Sequence, residues 1–153
     1  MKRTEIREPI DTFFSSPAYA VIGVSANRRK FGNIVYRTMK EKEFTVFPVH
    51  PTLEIVEGDA CWNSVKNLPD EVQSVVTVIP PAITRNVIRE CAERGISSIW
   101  MQPGSASEEA IKEAEGKGLV VIHGHCILMF LEPVSSYHAL HRWVSKLVGA
   151  YPR

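Results

Sequence analysis

The stretch YAVIGV, residues 19–24, is a short apolar run with turn-forming residues on both sides. Such a run of branched side chains is typical of a strand buried on both faces of a sheet. Behind it, Phe31, Val35 and Met39 recur at helical spacing, and charged residues fill the other face. The sequence therefore predicts a buried strand, a loop and an amphipathic helix that runs to about residue 43.

The same alternation recurs along the chain. Branched apolar runs predict four further strands, at residues 44–47, 74–79, 97–101 and 119–123. Between them we expect a short helical turn within residues 59–67, a helix closed by Gly95, and a helix capped by Ser105. Strands that alternate with helices through short links pair in parallel, with right-handed crossovers. The sequence predicts an α/β fold: a doubly wound five-stranded parallel sheet, Rossmann-like, in three layers.

Helical segments are also predicted at the two ends of the chain. Asp11 is expected to cap a brief helix that covers the core, and an added C-terminal helix is expected from about Tyr137. The apolar stripe of that last helix is either core or an interface for a second copy or a larger complex. We predict one domain over residues 1–153, with a core at about 15–130 and a helical extension at about 131–153.

Composition excludes several classes of protein. The 153 residues carry 18 Lys and Arg against 17 Asp and Glu, a net charge of +1, so a nucleic acid partner is not expected. No apolar run approaches the roughly 18 residues of a membrane span, so no membrane association is expected. Cys61, Cys91 and Cys126 form no C-x-x-C pair, which fits a reducing cytoplasm better than a disulfide framework.

The loop after the first strand is suited to an anion. It contains Gly23, Ser25, Lys30 and Gly32 and leads into a predicted helix N-terminus, where backbone N–H groups and the helix dipole favour phosphate. The spacing matches neither G-x-G-x-x-G nor a Walker A loop. The alternative is that the glycines only allow a tight turn. If phosphate binds there, Gly32→Asp should weaken binding and leave the fold intact.

The end of the second predicted strand argues against NAD. A dinucleotide fold for NAD usually has an Asp or Glu there, which bonds the ribose 2′-OH. This chain has His50 and Pro51 instead, with Pro48 expected to stop the strand. An adenosine whose ribose carries a phosphate therefore fits better, although His50 could equally be a surface histidine. An NAD(P)-dependent oxidoreductase, or a nucleotide-binding domain of unknown reaction, is the alternative function.

Six stretches, taken together, resemble the stand-alone CoA-binding domain family, which is similar to the CoA-binding N-terminal domain of the succinyl-CoA synthetase alpha subunit. They are IGVS (22–25), KFGN (30–33), VFPVHP (46–51), VIPP (78–81), WMQPG (100–104) and the late Cys126. The resemblance covers roughly residues 15–130. It implies a Rossmann-like domain that holds coenzyme A or an acyl-CoA across the strand ends, in a binding role rather than a catalytic one.

The resemblance also implies a role for each stretch of the site. The pyrophosphate would lie against the first loop, whose implied contacts are Gly23, Val24, Ser25, Lys30, Phe31, Gly32 and Asn33. The adenosine and its 3′-phosphate would face His50 and Pro51, and the adenine or pantetheine wall would be Ile79, Pro80 and Pro81. The pantetheine arm would pass Gln102, Pro103 and Gly104, with Cys126 toward the thiol end.

The histidines near the C-terminus suggest a competing metal site. His123, His125, His138 and His141 are close in sequence to Cys126, and imidazole and thiolate are good zinc ligands. No carboxylate or second cysteine completes a known spacing, so a structural or surface role is favoured and no metal is expected. Cys126 is either a small buried residue or a thiol beside bound CoA that forms a mixed disulfide under oxidation.

Overall fold

The computed structural model describes residues 3–131, with side chains from residue 7 onward. Its strands, in chain order, are β1 (Ala18–Ile22), β2 (Val46–Val49), β3 (Ile55–Val56), β4 (Asp59–Ala60), β5 (Val72–Thr77), β6 (Ser98–Met101) and β7 (Val120–His123). Its α-helices are α1 (Arg3–Phe13), α2 (Phe31–Glu41), α3 (Pro81–Arg94) and α4 (Glu108–Gly116). The predicted C-terminal helix and the histidines at 138 and 141 lie outside the described residues.

The predicted doubly wound sheet is confirmed. Five strands pair in parallel in the order β2-β1-β5-β6-β7, while β3 and β4 form a separate antiparallel hairpin. Because β1 lies between β2 and β5, the chain changes its winding direction there, and such a switch point opens a crevice at the carboxyl ends of the strands.

Helices cover both faces of the sheet and complete the three layers. One core packs α1 and α2 onto the sheet through Phe13, Val35 and Trp100, which are fully buried. The other packs α3 and α4 onto the opposite face through Ile88 and Ala114. The runs that predicted the strands are mostly apolar because both faces of the sheet are covered, and the polar residues Ser74, Thr77 and Ser98 among them are buried.

Four local predictions were wrong. Asp11 does not cap a helix, because α1 begins at Arg3 and Asp11 lies near its end. Pro48 does not stop β2, which lies at the edge of the sheet, where a residue without an N–H is tolerated. Ser107, not Ser105, caps α4, and its side chain accepts a hydrogen bond from the Ala110 N–H. The helical turn predicted over 59–67 is wrong in its extent: Asp59–Ala60 is β4, and only Val65–Asn67 is helical, as a 3-10 helix.

Candidate functional site

The five parallel strands end in one row. Val49, Ile22, Thr77, Met101 and His123 are register partners across the sheet, and each is the last residue of its strand. The loops that follow them therefore leave the sheet along one line, which we call the carboxyl edge. Each of the five groups of residues that the resemblance assigns to the ligand begins in one of these loops.

Two glycines bring three chain segments into close contact at the switch point. Gly23 has φ +123°, and a Cβ added there would lie 2.2 Å from the Val78 carbonyl oxygen. A Cβ on Gly32 would lie 2.1 Å from the carbonyl oxygen of Gly23. The expectation that Gly32→Asp leaves the fold intact is therefore wrong, because any side chain at Gly32 must displace the backbone of the loop between β1 and α2. We call residues 23–30 the β1–α2 loop.

The first turn of α2 is open to an anion. Lys30 precedes the helix, and its side chain makes no capping hydrogen bond. Arg29 and Lys30 are exposed, and within the described chain no carboxylate pairs with either. Phe31, at the first helical position, is 42% exposed, whereas Val24 is buried in the core. Free backbone N–H groups, the positive end of the helix and two cations together favour a negatively charged group here.

Asn33 and Ser25 hold the β1–α2 loop in shape. Asn33 is fully buried. Its Oδ1 accepts from the Ser25 N–H, and its Nδ2 donates to the Ser25 carbonyl, both at 2.8 Å. The Ser25 hydroxyl accepts from the Asn27 N–H at 3.0 Å. The polar groups of Asn33 are thus engaged within the protein, which gives this residue a positioning role in the loop.

A carboxylate that the sequence did not single out joins the same loop to the β3–β4 hairpin. Glu57 accepts hydrogen bonds from Arg28, Arg37 and Asn33, and its side chain is only 4% exposed. Burial tends to raise the pKa of this carboxyl, but the three hydrogen bonds, with the charge of Arg37, hold it below its usual value. Glu57 is therefore ionised and pairs with the Arg28 Nε, while 71% of the Arg28 side chain stays exposed.

His50 caps the turn that follows β2. Its Nδ1 accepts from the N–H groups of Thr52 and Leu53, each at 3.1 Å. The ring proton is therefore on Nε2, which leaves a donor at this end of the carboxyl edge. Pro51 is exposed at the rim of an open cavity of about 450 Å³. The cavity is lined by Pro51, Thr52, Leu53, Glu54, Cys61, Trp62, Asn63 and Asn67.

Buried hydroxyl groups fix the ends of β5 and β6. The Ser105 hydroxyl donates to the Thr77 Oγ1 at 2.8 Å and lies 2.9 Å from the Thr84 Oγ1, while the Ile79 N–H donates to it at 3.5 Å. Ile79 is half-buried, Pro80 is exposed, and Pro81 is the first residue of α3. The loop after β5 is thus an apolar surface on a hydrogen-bonded base.

Gln102 joins the loop after β6 to the loop after β7. It is 1% exposed. Its Oε1 accepts from the Ile127 N–H at 2.7 Å, and its Nε2 donates to the Cys126 Sγ at 3.4 Å. Pro103 and Gly104 are exposed, and Cys126 is half-buried. The structure thus brings Gln102 and Cys126 together, but the amide of Gln102 faces the protein.

The remaining histidine and cysteine side chains show no metal cluster within residues 7–131: no group of three or more His, Cys, Asp or Glu there could hold an ion. His125 contacts the Phe130 ring edge to face, and its carbonyl accepts from the Trp100 Nε1 at 2.8 Å.

Burial raises the pKa of the Cys91 thiol to about 12 and also raises the pKa of the Cys61 thiol. In the described part of the chain, no helix is both long and apolar enough to cross a bilayer.

Residues 17–132 match the family model described as the CoA binding domain. Over 129 residues the chain is 30% identical to the alpha subunit of acetate–CoA ligase (ADP-forming) II of Pyrococcus furiosus, a match that covers 77% of this chain and 28% of the ligase subunit. The chain thus spans less than a third of that relative.

Two matches are short chains that align over nine tenths or more of their own length. The uncharacterized protein YneT of Bacillus subtilis is 26% identical over 125 residues, which cover 82% of this chain and 90% of YneT. A solved structure of a conserved hypothetical protein from Pyrococcus furiosus aligns with a TM-score of 0.70 and 38% identity, over 73% of this chain and 97% of that one. The same fold therefore occurs both as part of a ligase subunit and as a short chain.

Proposed function

The chain belongs to the CoA-binding domain family, and we propose that it binds coenzyme A or an acyl-CoA along the carboxyl edge of its sheet, in a binding rather than a catalytic role. The proposal assigns no reaction, because the chain spans only 28% of the ligase alpha subunit that it resembles. The relative's description as a subunit supports a further proposal, that this chain acts with a second copy or within a larger complex.

The observation that carries the proposal is the open first turn of α2 at the switch point. Its free N–H groups, the absence of a side-chain cap and the exposed cations Arg29 and Lys30 suit a pyrophosphate. Gly23 and Gly32 let the backbone come close to such a group. In this proposal Val24 contributes backbone, Ser25 shapes the loop through its two bonds to Asn33, and Lys30 and Phe31 contribute side chains.

The adenosine is proposed to lie at the other side of the switch point. His50 offers its Nε2–H there because its Nδ1 is engaged with two backbone N–H groups. Pro51 is exposed beside it, and Ile79, Pro80 and Pro81 offer an apolar wall across β1. No acidic residue directly follows β2, which supports a phosphorylated ribose over the free ribose 2′-OH of NAD.

The pantetheine arm is proposed to follow the loop after β6. Pro103 and Gly104 form its exposed surface, while Gln102 lies beneath them and supports Cys126. An arm that is largely uncharged fits a surface without charged side chains. The thiol end would then come near Cys126.

Thermal unfolding with coenzyme A, dephospho-CoA, NAD and NADP tests the proposal. A ligand at about 100 times its dissociation constant adds ~2.7 kcal/mol, a shift of several degrees for a domain of this size. We expect stabilisation by coenzyme A that exceeds that by dephospho-CoA, because of the 3′-phosphate. Stabilisation by NAD or NADP alone would favour the oxidoreductase instead.

A charge reversal tests the position of the pyrophosphate. Lys30→Glu should weaken coenzyme A binding about tenfold, because it replaces an attraction with a repulsion near the phosphates. Lys117→Glu is the matched control. Lys117 is also exposed, but it precedes β7 and so lies at the amino ends of the strands, away from the carboxyl edge. Isothermal titration at one salt concentration should show a loss for the first variant only. Equal affinities of both variants would contradict the site.

A further inference from the structure

Glu57 carries three hydrogen bonds on a side chain that is almost removed from solvent. Its Oε1 accepts from the Arg28 Nε at 2.9 Å, and its Oε2 accepts from the Arg37 Nη1 at 2.8 Å and the Asn33 Nδ2 at 2.9 Å. We call Glu57, Arg28, Asn33 and Arg37 the Glu57 cluster. A carboxylate that is removed from solvent loses its hydration, so it needs charged hydrogen-bond donors to stay ionised. Two arginines and an asparagine supply these donors to Glu57.

The backbone at Glu57 is in an unfavourable conformation. Glu57 and Gly58 form the two-residue turn between β3 and β4, with φ values of +53° and +80°. Such a type I′ turn favours Asn, Asp or Gly at its first central position, and a glutamate there is strained. The hairpin is also tied to α2, because the Tyr36 hydroxyl donates to Asp59 at 2.6 Å. The hydrogen bonds from Asn33, Arg37 and Tyr36 therefore offset this strain and hold the hairpin against α2.

The Glu57 cluster fixes both ends of one stretch of the β1–α2 loop. Asn33 and Arg37 are four residues apart on α2, so they lie on the same side of the helix. Asn33 holds the backbone of Ser25, and the Arg37 Nη1 donates to the carbonyl of Arg28 at 2.9 Å. Glu57 accepts from both of these side chains and from the Arg28 guanidinium. Through them it determines where the backbone of residues 25–28 lies.

We propose that Glu57 is a positioning residue for anion binding: it holds the β1–α2 loop in the shape that presents the open turn of α2 to a phosphate. This inference rests on the proposed function and adds to it a residue outside the six stretches that carry the family resemblance. The Glu57 cluster also assigns the charges of the loop. Arg28 and Arg37 pair with Glu57, whereas Arg29 and Lys30 have no carboxylate partner among the described residues.

The inference predicts an effect opposite in sign to simple electrostatics. A negative charge close to an anion site should weaken binding, so its removal should strengthen binding. If Glu57 positions the loop, its removal weakens binding, because the ligand must then order residues that the wild-type protein already holds. Ordering the backbone of a single residue corresponds to about a tenfold change in affinity.

The test compares two carboxylates with the same number of arginine partners. Glu113 on α4 pairs with Arg85 and Arg89 on α3, at 2.9 and 3.0 Å, away from the β1–α2 loop. Glu57→Gln and Glu113→Gln each remove one negative charge, and with it the ion pairs to two arginines. Isothermal titration of each full-length variant with coenzyme A and with inorganic pyrophosphate, at one salt concentration, gives the affinities, and urea unfolding gives the stabilities.

We expect Glu57→Gln to bind both ligands about tenfold more weakly than wild type and Glu113→Gln to bind them as wild type does. Glu57→Asn is a second variant for the case in which Glu57→Gln does not fold. Asparagine tolerates a positive φ, so the turn is relaxed while the shorter side chain no longer reaches Arg28 and Arg37. It should fold stably and still bind weakly.

The outcomes separate this inference from the function on which it rests. Wild-type protein that binds neither ligand would overturn the proposed function and, with it, the role of Glu57. Wild-type protein that binds, with Glu57 variants that bind equally or more tightly, would overturn the positioning role alone. Equal losses in the Glu57 and Glu113 variants would also overturn it, because the effect would then follow net charge or stability.

Discussion

The two halves of the carboxyl edge are held together in different ways. At the switch point, the loops after β1 and β5 touch through backbone, and Gly23 and Gly32 leave no room for a side chain. In the half after β6 and β7, buried polar side chains make the links: Ser105 bonds Thr77 at the end of β5, and Gln102 bonds the Ile127 N–H. The first half has hydrogen bonds as well, but only there does the contact between the described loops also require residues without a side chain.

This difference matches the two chemical ends of the proposed ligand. Close backbone contact at the switch point leaves N–H groups and exposed cations at the surface, where a phosphate can replace water. The hydrogen bonds of the other half turn its polar groups inward, so that Pro103 and Gly104 are left at the surface. One half is suited to charge and the other to an uncharged arm. Substitutions should therefore affect the two halves by different mechanisms.

The largest effect is expected from Gly32→Ala. Its Cβ would lie 2.1 Å from the carbonyl oxygen of Gly23, and that atom is backbone, so it cannot move aside alone. Overpacking typically costs about 1–3 kcal/mol and occasionally more, and a backbone neighbour places this site at the upper end of that range. Urea unfolding, followed by far-UV circular dichroism, should show a large fall in the free energy of unfolding.

Gly116→Ala is the matched control for the glycine at the switch point. Gly116 lies at the end of α4, and a Cβ there would meet no atom within 4 Å. Alanine in a helix is more favourable than glycine by roughly 0.5–1 kcal/mol, so this variant should be slightly more stable than wild type. If both glycine variants unfold at the wild-type urea concentration, the close approach at Gly32 does not exist.

An intermediate effect is expected from Gln102→Leu in the other half. The substitution keeps the volume of the side chain but leaves the Ile127 N–H without the acceptor that it has at 2.7 Å. A buried donor left unsatisfied costs about 1–3 kcal/mol, which urea unfolding should detect. Gln73→Leu is the control, because Gln73 is half-buried and donates to a carbonyl near the surface. Equal losses in the free energy of unfolding would show that the hydrogen bond to the Ile127 N–H stabilises the fold no more than the exposed bond of Gln73 does.

The strands and the helices between them were predictable because each rests on a local pattern. A run such as residues 19–24 is buried on both faces and so contains only apolar residues, and Gly95 ends α3 in the left-handed conformation that glycine favours. These signals lie within a few residues of the feature that they specify. The positions of the five loops on one edge follow from parallel pairing alone.

Features that depend on distant neighbours were not predictable. Pro48 is tolerated in β2 only because β2 lies at the edge of the sheet, and the order of strands is a property of the whole chain. Ser105 matched a capping spacing, yet its hydroxyl is used by Thr77, which is 28 residues away. Glu57 meets Arg28 across 29 residues, through a two-residue turn without the usual Asn or Gly at its first position. The acidic residue before Gly58 was the one local signal, and it is weak by itself.

The smallest effect on stability is expected from a change of pH. It comes from His125, which lies in the half after β6 and β7. Burial, and then the charge of the neighbouring His123, lowers the pKa of the His125 imidazole from its ordinary value of 6.5. As pH falls through about 6.5, the unfolded chain therefore takes up this proton first, and stability that is present at higher pH decreases until the pH reaches the lowered pKa. His125→Gln removes the titrating group, so it should flatten the pH dependence of the free energy of unfolding between about pH 7.5 and 5.5. The variant also loses the ring contact with Phe130, which lowers stability equally at every pH. Parallel curves for wild type and variant would mean that His125 is as solvated in the folded protein as in the unfolded chain, and that the half after β6 and β7 is more open than its hydrogen bonds indicate.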